Sequence, residues 1–172
     1  MKIDWRIKFR KGSVSKLKEK RVKDSLTEQI QLLMPQHING SERLFGGMLM
    51  QWIDVVAGVV AKRHSECNII TAAVDNLQFK EGAKINDTVV LIGKVTYVGN
   101  SSMEVRVDTY VEDLSGIRKP INRAYLVMVA LDKDGKPTTV PRLIIETEAE
   151  KAEYEGALKR TELRKLRRRE GF

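Results

Sequence analysis

This 172-residue chain has one cysteine, two histidines and only 6% aromatic residues. With Cys67 alone, an intrachain disulfide and a cysteine-based metal cluster are excluded. Neither His37 nor His64 has a serine or carboxylate at a diagnostic spacing, and no Walker loop, GxSxG elbow or zinc motif occurs. The amino terminus, MKIDWRIKFRKG, is basic but has no apolar stretch of signal-peptide length. The longest apolar run is broken by Gln51 and Asp54 and falls short of a membrane span. A cytoplasmic protein of one domain, with no membrane partner, is expected.

Charge is abundant, with 31 Lys/Arg against 23 Asp/Glu. Residues 1–23 hold ten Lys/Arg against Asp4 and Glu19, and residues 159–172 hold seven against Glu162 and Glu170. The segment between them is mildly acidic. Two basic arms of this kind either bind a polyanion or are simply solvated ends. Trp5, Phe9 and Phe172 are the only aromatics in the arms, too few for a base-stacking platform, so nucleic acid is not the expected partner.

The most informative stretch is Leu44 to Ala61, LFGGMLMQWIDVVAGVVA. It is apolar on every side, which places a helix inside a core. Gly46 and Gly47 stand where a helix leaves its first N–H groups without partners. Asp54 follows Gly47 by seven residues, roughly 700° of rotation and about 10 Å of rise, so both share a face. A carboxylate in that setting must be paired, neutralised or used. Bare backbone donors and a buried carboxylate on one stripe suit carbonyl chemistry.

Leu26 to Met34 reads as a first strand ended by Pro35, and the helix runs from about Gly47 to His64. Strands are expected over Asn68–Phe79, Asp87–Val98, Met103–Glu112 and Asn122–Leu131. Asp134-Gly135 marks a turn, and Pro137 and Pro141 keep the next stretch irregular. Glu146 to Arg169 reads as a charged helix, acidic at its start and basic at its end. Strand, helix, then four strands without intervening helices exclude a doubly wound sheet. The expectation is α+β: an antiparallel sheet around one central helix, plus a C-terminal helix. Residues 1–23 form a loose or partly helical arm, 24–145 the domain and 146–172 the terminal helix.

Each candidate site residue has a plain alternative. Asn39 either orients a water or a carbonyl with its amide or turns its loop. Gly46 and Gly47 either expose N–H groups to an oxyanion or allow tight packing. Asp54 is either a general base or nucleophile, with its pKa raised by burial, or a carboxylate tied into the fold. The turn Gly99-Asn100-Ser101-Ser102 either holds a phosphate or amide or simply joins two strands. His64 reads as a helix-end residue, and His37 as a neighbour of the site.

These residues form a wider pattern: Pro35-x-x-x-Asn39, then Leu44-Phe45-Gly46-Gly47-x-Leu49-Met50-x-Trp52-x-Asp54. Thr71-Ala72-x-Val74-Asp75, Gly99-x-Ser101-Ser102-Met103-Glu104 and Val129-Ala130-Leu131-Asp132-x-x-Gly135-Lys136-Pro137 follow. Over residues 24–145 the chain resembles the hotdog-fold acyl-CoA thioesterases of the cytosolic acyl-CoA hydrolase type. The resemblance implies hydrolysis of acyl-CoA to free acid and CoA without metal or organic cofactor. It implies a homodimer with sites at the interface, often three dimers in a homohexamer. It places Asp54 on the catalytic carboxylate, Asn39 on its partner from the opposite subunit, and Gly46-Gly47 on the carbonyl-binding turn. Asn100, Ser101 and Ser102 would lie near the CoA arm; Lys80, from its place at a strand end, and Phe79 beside it are further candidate substrate contacts. The family usually has glycine where this chain has Glu42, which would narrow the loop or alter acyl-chain preference. The rival readings are a non-catalytic acyl-CoA-binding hotdog protein and a basic nucleic-acid-binding protein.

Overall fold

The computed structural model describes residues 18–171. Within them, β2 (Thr27–Leu32), β4 (Thr88–Val98), β5 (Ser102–Glu112), β6 (Arg118–Leu131) and β3 (Asn68–Phe79) form one antiparallel sheet, in the order β2-β4-β5-β6-β3. Helix α1 (Gly46–Ser65) lies between β2 and β3 in sequence and sits in the concave face of the sheet. This is the hotdog arrangement. No helix among the described residues is long and apolar enough to cross a membrane.

The period-2 alternation of the strands decides which face receives α1. Val89, Leu91, Val95, Val105, Val107, Leu126 and Met128 point inward and meet Leu49, Trp52, Ile53, Val56, Ala57 and Val60 of the helix. At Gly93 the helix comes so close that a Cβ would stand 2.6 Å from Val56 Cγ1, so only glycine fits there. The helix ends at Glu66, which turns into the left-handed region at φ 58° and donates its N–H to Lys62 O.

The intervening residues of β5, Glu104, Arg106 and Asp108, face the outer surface, where the sequence pattern suggests solvent. Helix α2 (Glu148–Glu170) instead covers Glu104 and Arg106, while Asp108 pairs with Arg106 and with Arg123 of β6. Thr147 caps this helix, accepting from Glu150 N, while Glu150 Oε2 accepts from Thr147 N. Arg160 and Arg164 donate to Glu104, which is 1% exposed, and Arg160 also lies over the Tyr125 ring at 3.7 Å. Arg164 and Arg167 reach Asp75 on β3. Ion pairs hold α2 down where an apolar helix would use leucines.

The amino-terminal arm departs from expectation at its end. Glu19–Arg21 is a short strand, β1, parallel to β7 (Arg142–Ile144) in the stretch expected to be irregular. Tertiary contacts fix it: Lys20 Nζ donates to Arg63 O, and Lys18 and Lys20 pair with Glu66. The rest of the arm lies outside the described residues.

Candidate active site

Two regions that the sequence treats as one are separate within a single chain. The first is a cavity of about 320 Å³ in front of α1, lined by Asn39, Arg43, Gly46, Phe79, Lys80 and Gly82 among others. The second is the outward face of α1, where Asp54 sits with Met50, Gln51 and Val55, all exposed.

The loop of Asn39 is built by its own amide. Asn39 Oδ1 accepts from Ser41 N (2.9 Å) and Arg43 N (3.2 Å), and its backbone N–H donates to Arg43 O. The oxygen is thereby committed, and the side chain offers a ligand only the two Nδ2 hydrogens. Asn39 turns its loop and keeps a donor at the cavity.

Gly46 and Gly47 open α1 after the N-cap Phe45, so their N–H groups lie at the positive end of the helix. Gly46 faces the Phe79 ring, 3.5 Å from where a Cβ would stand. Gly47 lies under the Phe45 ring, which a Cβ would meet at 2.6 Å. Larger residues at either position would cover these donors or displace a ring.

Asp54 is not buried, contrary to the sequence expectation. An apolar helix face can be covered by its own chain or by another, and here one chain covers only the face turned toward the sheet. Asp54 Oδ1 accepts a 2.6 Å hydrogen bond from Thr71 Oγ1 on β3. Thr71 thereby becomes a candidate site residue that no motif or spacing in the sequence singles out. Arg43, at the cavity, was also missed.

The edge strand β3 pairs with β6 on one side, and Ile70 to Val74 are exposed. Exposed Val74, on the same face of β3 as Thr71, and exposed Met50 and Val55 of α1 leave an apolar surface on the side of Asp54. The Asn100–Ser102 turn is distant from the cavity. Ser102 pairs with Val129, as does Ile70 at the start of β3, whereas Phe79 ends that strand, about 30 Å further along at 3.3 Å per residue. There, Asn100 O accepts from Val140 N and Ser101 O from Ala130 N.

The histidines are structural. His37 Nδ1 accepts from Met34 N and its ring stands edge-on to Trp52. His64 is buried with Nε2 on Pro141 O at 3.1 Å; burial pushes its pKa down, against the pull of that carbonyl. Among the described residues, no group of three or more His, Cys, Asp or Glu gathers as metal ligands do.

The sequence profile of the thioesterase superfamily matches residues 42–116. A Bacillus subtilis protein described as an uncharacterized acyl-CoA thioester hydrolase is 39% identical over 148 residues, covering 86% of this chain and 86% of its own length. The chain belongs to the thioesterase superfamily. This thioesterase superimposes with a TM-score of 0.85 on the Staphylococcus aureus acyl-CoA hydrolase solved with butyryl-CoA and CoA, at 35% identity over 89% of this chain and 94% of that one. It also superimposes with a TM-score of 0.85 on a hexameric apo acyl-CoA thioesterase, at 38% identity over 88% and 97% of the two chains. The Staphylococcus hydrolase has been solved as three alanine variants: of an asparagine, of an aspartate fifteen residues further on, and of a threonine seventeen beyond that.

Proposed function

We propose that this thioesterase hydrolyses acyl-CoA to a free carboxylic acid and CoA, at a site that two subunits complete together. The observation that carries the reading is the Thr71–Asp54 hydrogen bond on an apolar face that one chain leaves open. Asn39, Asp54 and Thr71 also follow one another at intervals of fifteen and seventeen residues, the same intervals as the three residues replaced in the Staphylococcus hydrolase.

Antiparallel pairing of two β3 edges about a two-fold axis buries Val74, Met50 and Val55 against their counterparts. It sets the start of the partner's strand beside the end of this one. The partner's Asn39 then approaches Asp54, and the partner's Asn100–Ser102 end approaches the Phe79 and Lys80 cavity. Closing this face removes bulk water from Asp54, as the chemistry needs. Larger homo-oligomers, as in the hexameric relative, would build on this dimer.

In the proposed reaction the thioester carbonyl oxygen lies at the first-turn N–H groups of Gly46 and Gly47, whose dipole stabilises the developing oxyanion. Thr71 holds one oxygen of Asp54, which leaves the other for the reacting water. Asn39 Nδ2 positions that water or the carbonyl. Asp54 takes a proton as the water oxygen bonds to the carbonyl carbon. The tetrahedral adduct collapses, the C–S bond breaks, and the CoA thiolate leaves and receives the proton. A thiolate leaves readily, so no strong general acid is required. Direct attack by Asp54 on the acyl carbon, followed by hydrolysis of the anhydride, is the alternative route through the same residue.

Thiol release from short- to long-chain acyl-CoAs, by wild type and Asp54→Asn, tests this reading. The expected result is turnover that falls at least about 100-fold in the variant, or about 2.7 kcal/mol of barrier. Tight acyl-CoA binding without turnover at any chain length would make the protein a carrier or sensor instead.

A further inference from the structure

The loop 39–43 and the segment 80–83 that follows β3 run side by side, joined where Leu44 N donates to Ala83 O. The stem of Arg43 lies across this seam. A Cβ on Gly82 would stand 2.9 Å from Arg43 Cδ and 3.5 Å from its Cγ, so the bare glycine lets the stem lie flat. Gly82 is not in the left-handed region, and its backbone makes no demand for glycine. The room it leaves is room for Arg43. The guanidinium is thereby held at the cavity that also takes in Gly46 and Lys80.

That guanidinium is unused within the chain. Outside the last turn of α2, every other described arginine donates to a carboxylate or a carbonyl. The Arg43 side chain has no such partner among the described residues, and neither does that of Lys80. Glu81, the one acid among the described residues lining the cavity, is paired with Lys119 Nζ at 2.5 Å. Glu42 precedes Arg43 in the chain but does not line the cavity. The wall therefore holds two uncompensated positive charges above an apolar floor of Leu44, Leu49, Ala83 and Ile121.

A guanidinium presents paired N–H donors in a planar fork that fits a carboxylate or a phosphate, and a neutral ligand leaves that fork unmatched. We propose that Arg43, laid across Gly82 and assisted by Lys80, is a specificity-determining residue that binds an oxyanion carried by the substrate away from its thioester. Two parts of an acyl-CoA can supply that group: a phosphate of the CoA, or a carboxylate at the far end of a dicarboxylic acyl group. The assignment rests on the hydrolase reading, which places the thioester carbonyl at Gly46 in the same cavity. Arg43 touches neither the carbonyl nor the attacking water, so it holds substrate and transition state alike. Its loss raises KM and leaves kcat near the wild-type value.

Calorimetric titration of the full chain with three thioethers, which cannot be hydrolysed, separates the two sources: S-butyl-CoA, S-carboxypropyl-CoA and S-butyl-pantetheine. Arg43→Gln is expected to weaken binding about tenfold. Its melting temperature should not change, since no group in the chain loses a partner. Loss on both CoA ligands but not on the pantetheine assigns a phosphate; loss on S-carboxypropyl-CoA alone assigns an acyl carboxylate. Gly82→Ala keeps the charge and displaces the stem, and should weaken the same ligands. Equal loss on all three, no loss on any, or a Gly82→Ala chain that binds like wild type overturns the proposal. Thiol release from butyryl-CoA is read separately. Binding without turnover sinks the hydrolase reading and leaves the subsite standing, whereas turnover with unaltered binding in Arg43→Gln does the reverse.

Discussion

Thr71 Oγ1 donates a 2.6 Å hydrogen bond to Asp54 Oδ1, tying the open face of α1 to the edge strand β3 across seventeen residues of sequence. A hydrogen bond to a charged group contributes about 1.5–3 kcal/mol, enough to hold one carboxylate oxygen in place. Thr71→Val keeps the shape and removes the hydroxyl. We expect kcat to fall about 10- to 100-fold with little change in melting temperature, and Thr71→Ser to retain most of the rate. Thiol release with a thermal melt checks both.

His64 makes stability depend on pH. Burial holds its pKa below the ordinary value, with the Pro141 carbonyl opposing. The unfolded chain takes up the proton near pH 6.5, the folded chain only at lower pH, so the unfolded state binds more protons between the two. The stability is therefore fully present above about pH 6.5 and is lost as pH falls toward the lowered folded value. Thermal melts should show a midpoint that drops between pH 7.5 and 5.5 in wild type and drops less in His64→Gln.

Glu42 occupies a left-handed conformation, φ 55°, in the Asn39 loop. A side chain there costs roughly 1 kcal/mol that glycine does not incur, which accounts physically for the glycine expected by family resemblance. Glu42 is exposed, so its effect is on the backbone of the loop. Glu42→Gly should raise stability by about 0.5–1 kcal/mol in urea unfolding; a loss of stability would show that the Glu42 side chain contributes something else.

Glu104 is the hinge pin of α2. It accepts from Arg160, Arg164 and Thr96 while almost wholly buried. Removing one member of a buried charge group leaves the others uncompensated, so Glu104→Ala should cost about 3–5 kcal/mol. Glu104→Gln, which still accepts through its amide oxygen, should cost less. Asp75 belongs to the same cluster: burial pushes its pKa up, but the hydrogen bonds from Arg167 and Arg164 outweigh this and hold it low. Urea titrations of the two Glu104 variants, with helix content followed by circular dichroism, check the order.

The sequence shows clearly what depends on local periodicity. Asn68–Phe79 is a strand over the residues expected, and α1 differs by one residue at each end, because alternation and apolar runs are local signals. Short β1 and β7 were illegible, since three-residue strands exist through contacts such as Lys20 with Arg63 rather than through propensity. Glu104, between the apolar residues of β5, looks solvent-facing and is buried, because only the fold reveals that α2 brings Arg160 and Arg164 to it. At the site, Asn39, Asp54 and the glycines stand out as residue types in an unusual place. Thr71 does not, because no spacing rule links it to Asp54, and composition cannot say whether the open face of α1 is covered by its own chain or by a partner.

The composite site is the central claim, and mixing two inactive variants tests it most directly. Asn39→Ala and Asp54→Asn are each expected to be nearly inactive alone. Subunits unfolded together and refolded should regain about one quarter of wild-type thiol release, because half the dimers are mixed and each mixed dimer holds one intact site. Activity no greater than the sum of the two variants would place Asn39 and Asp54 in the same subunit's site and contradict the account.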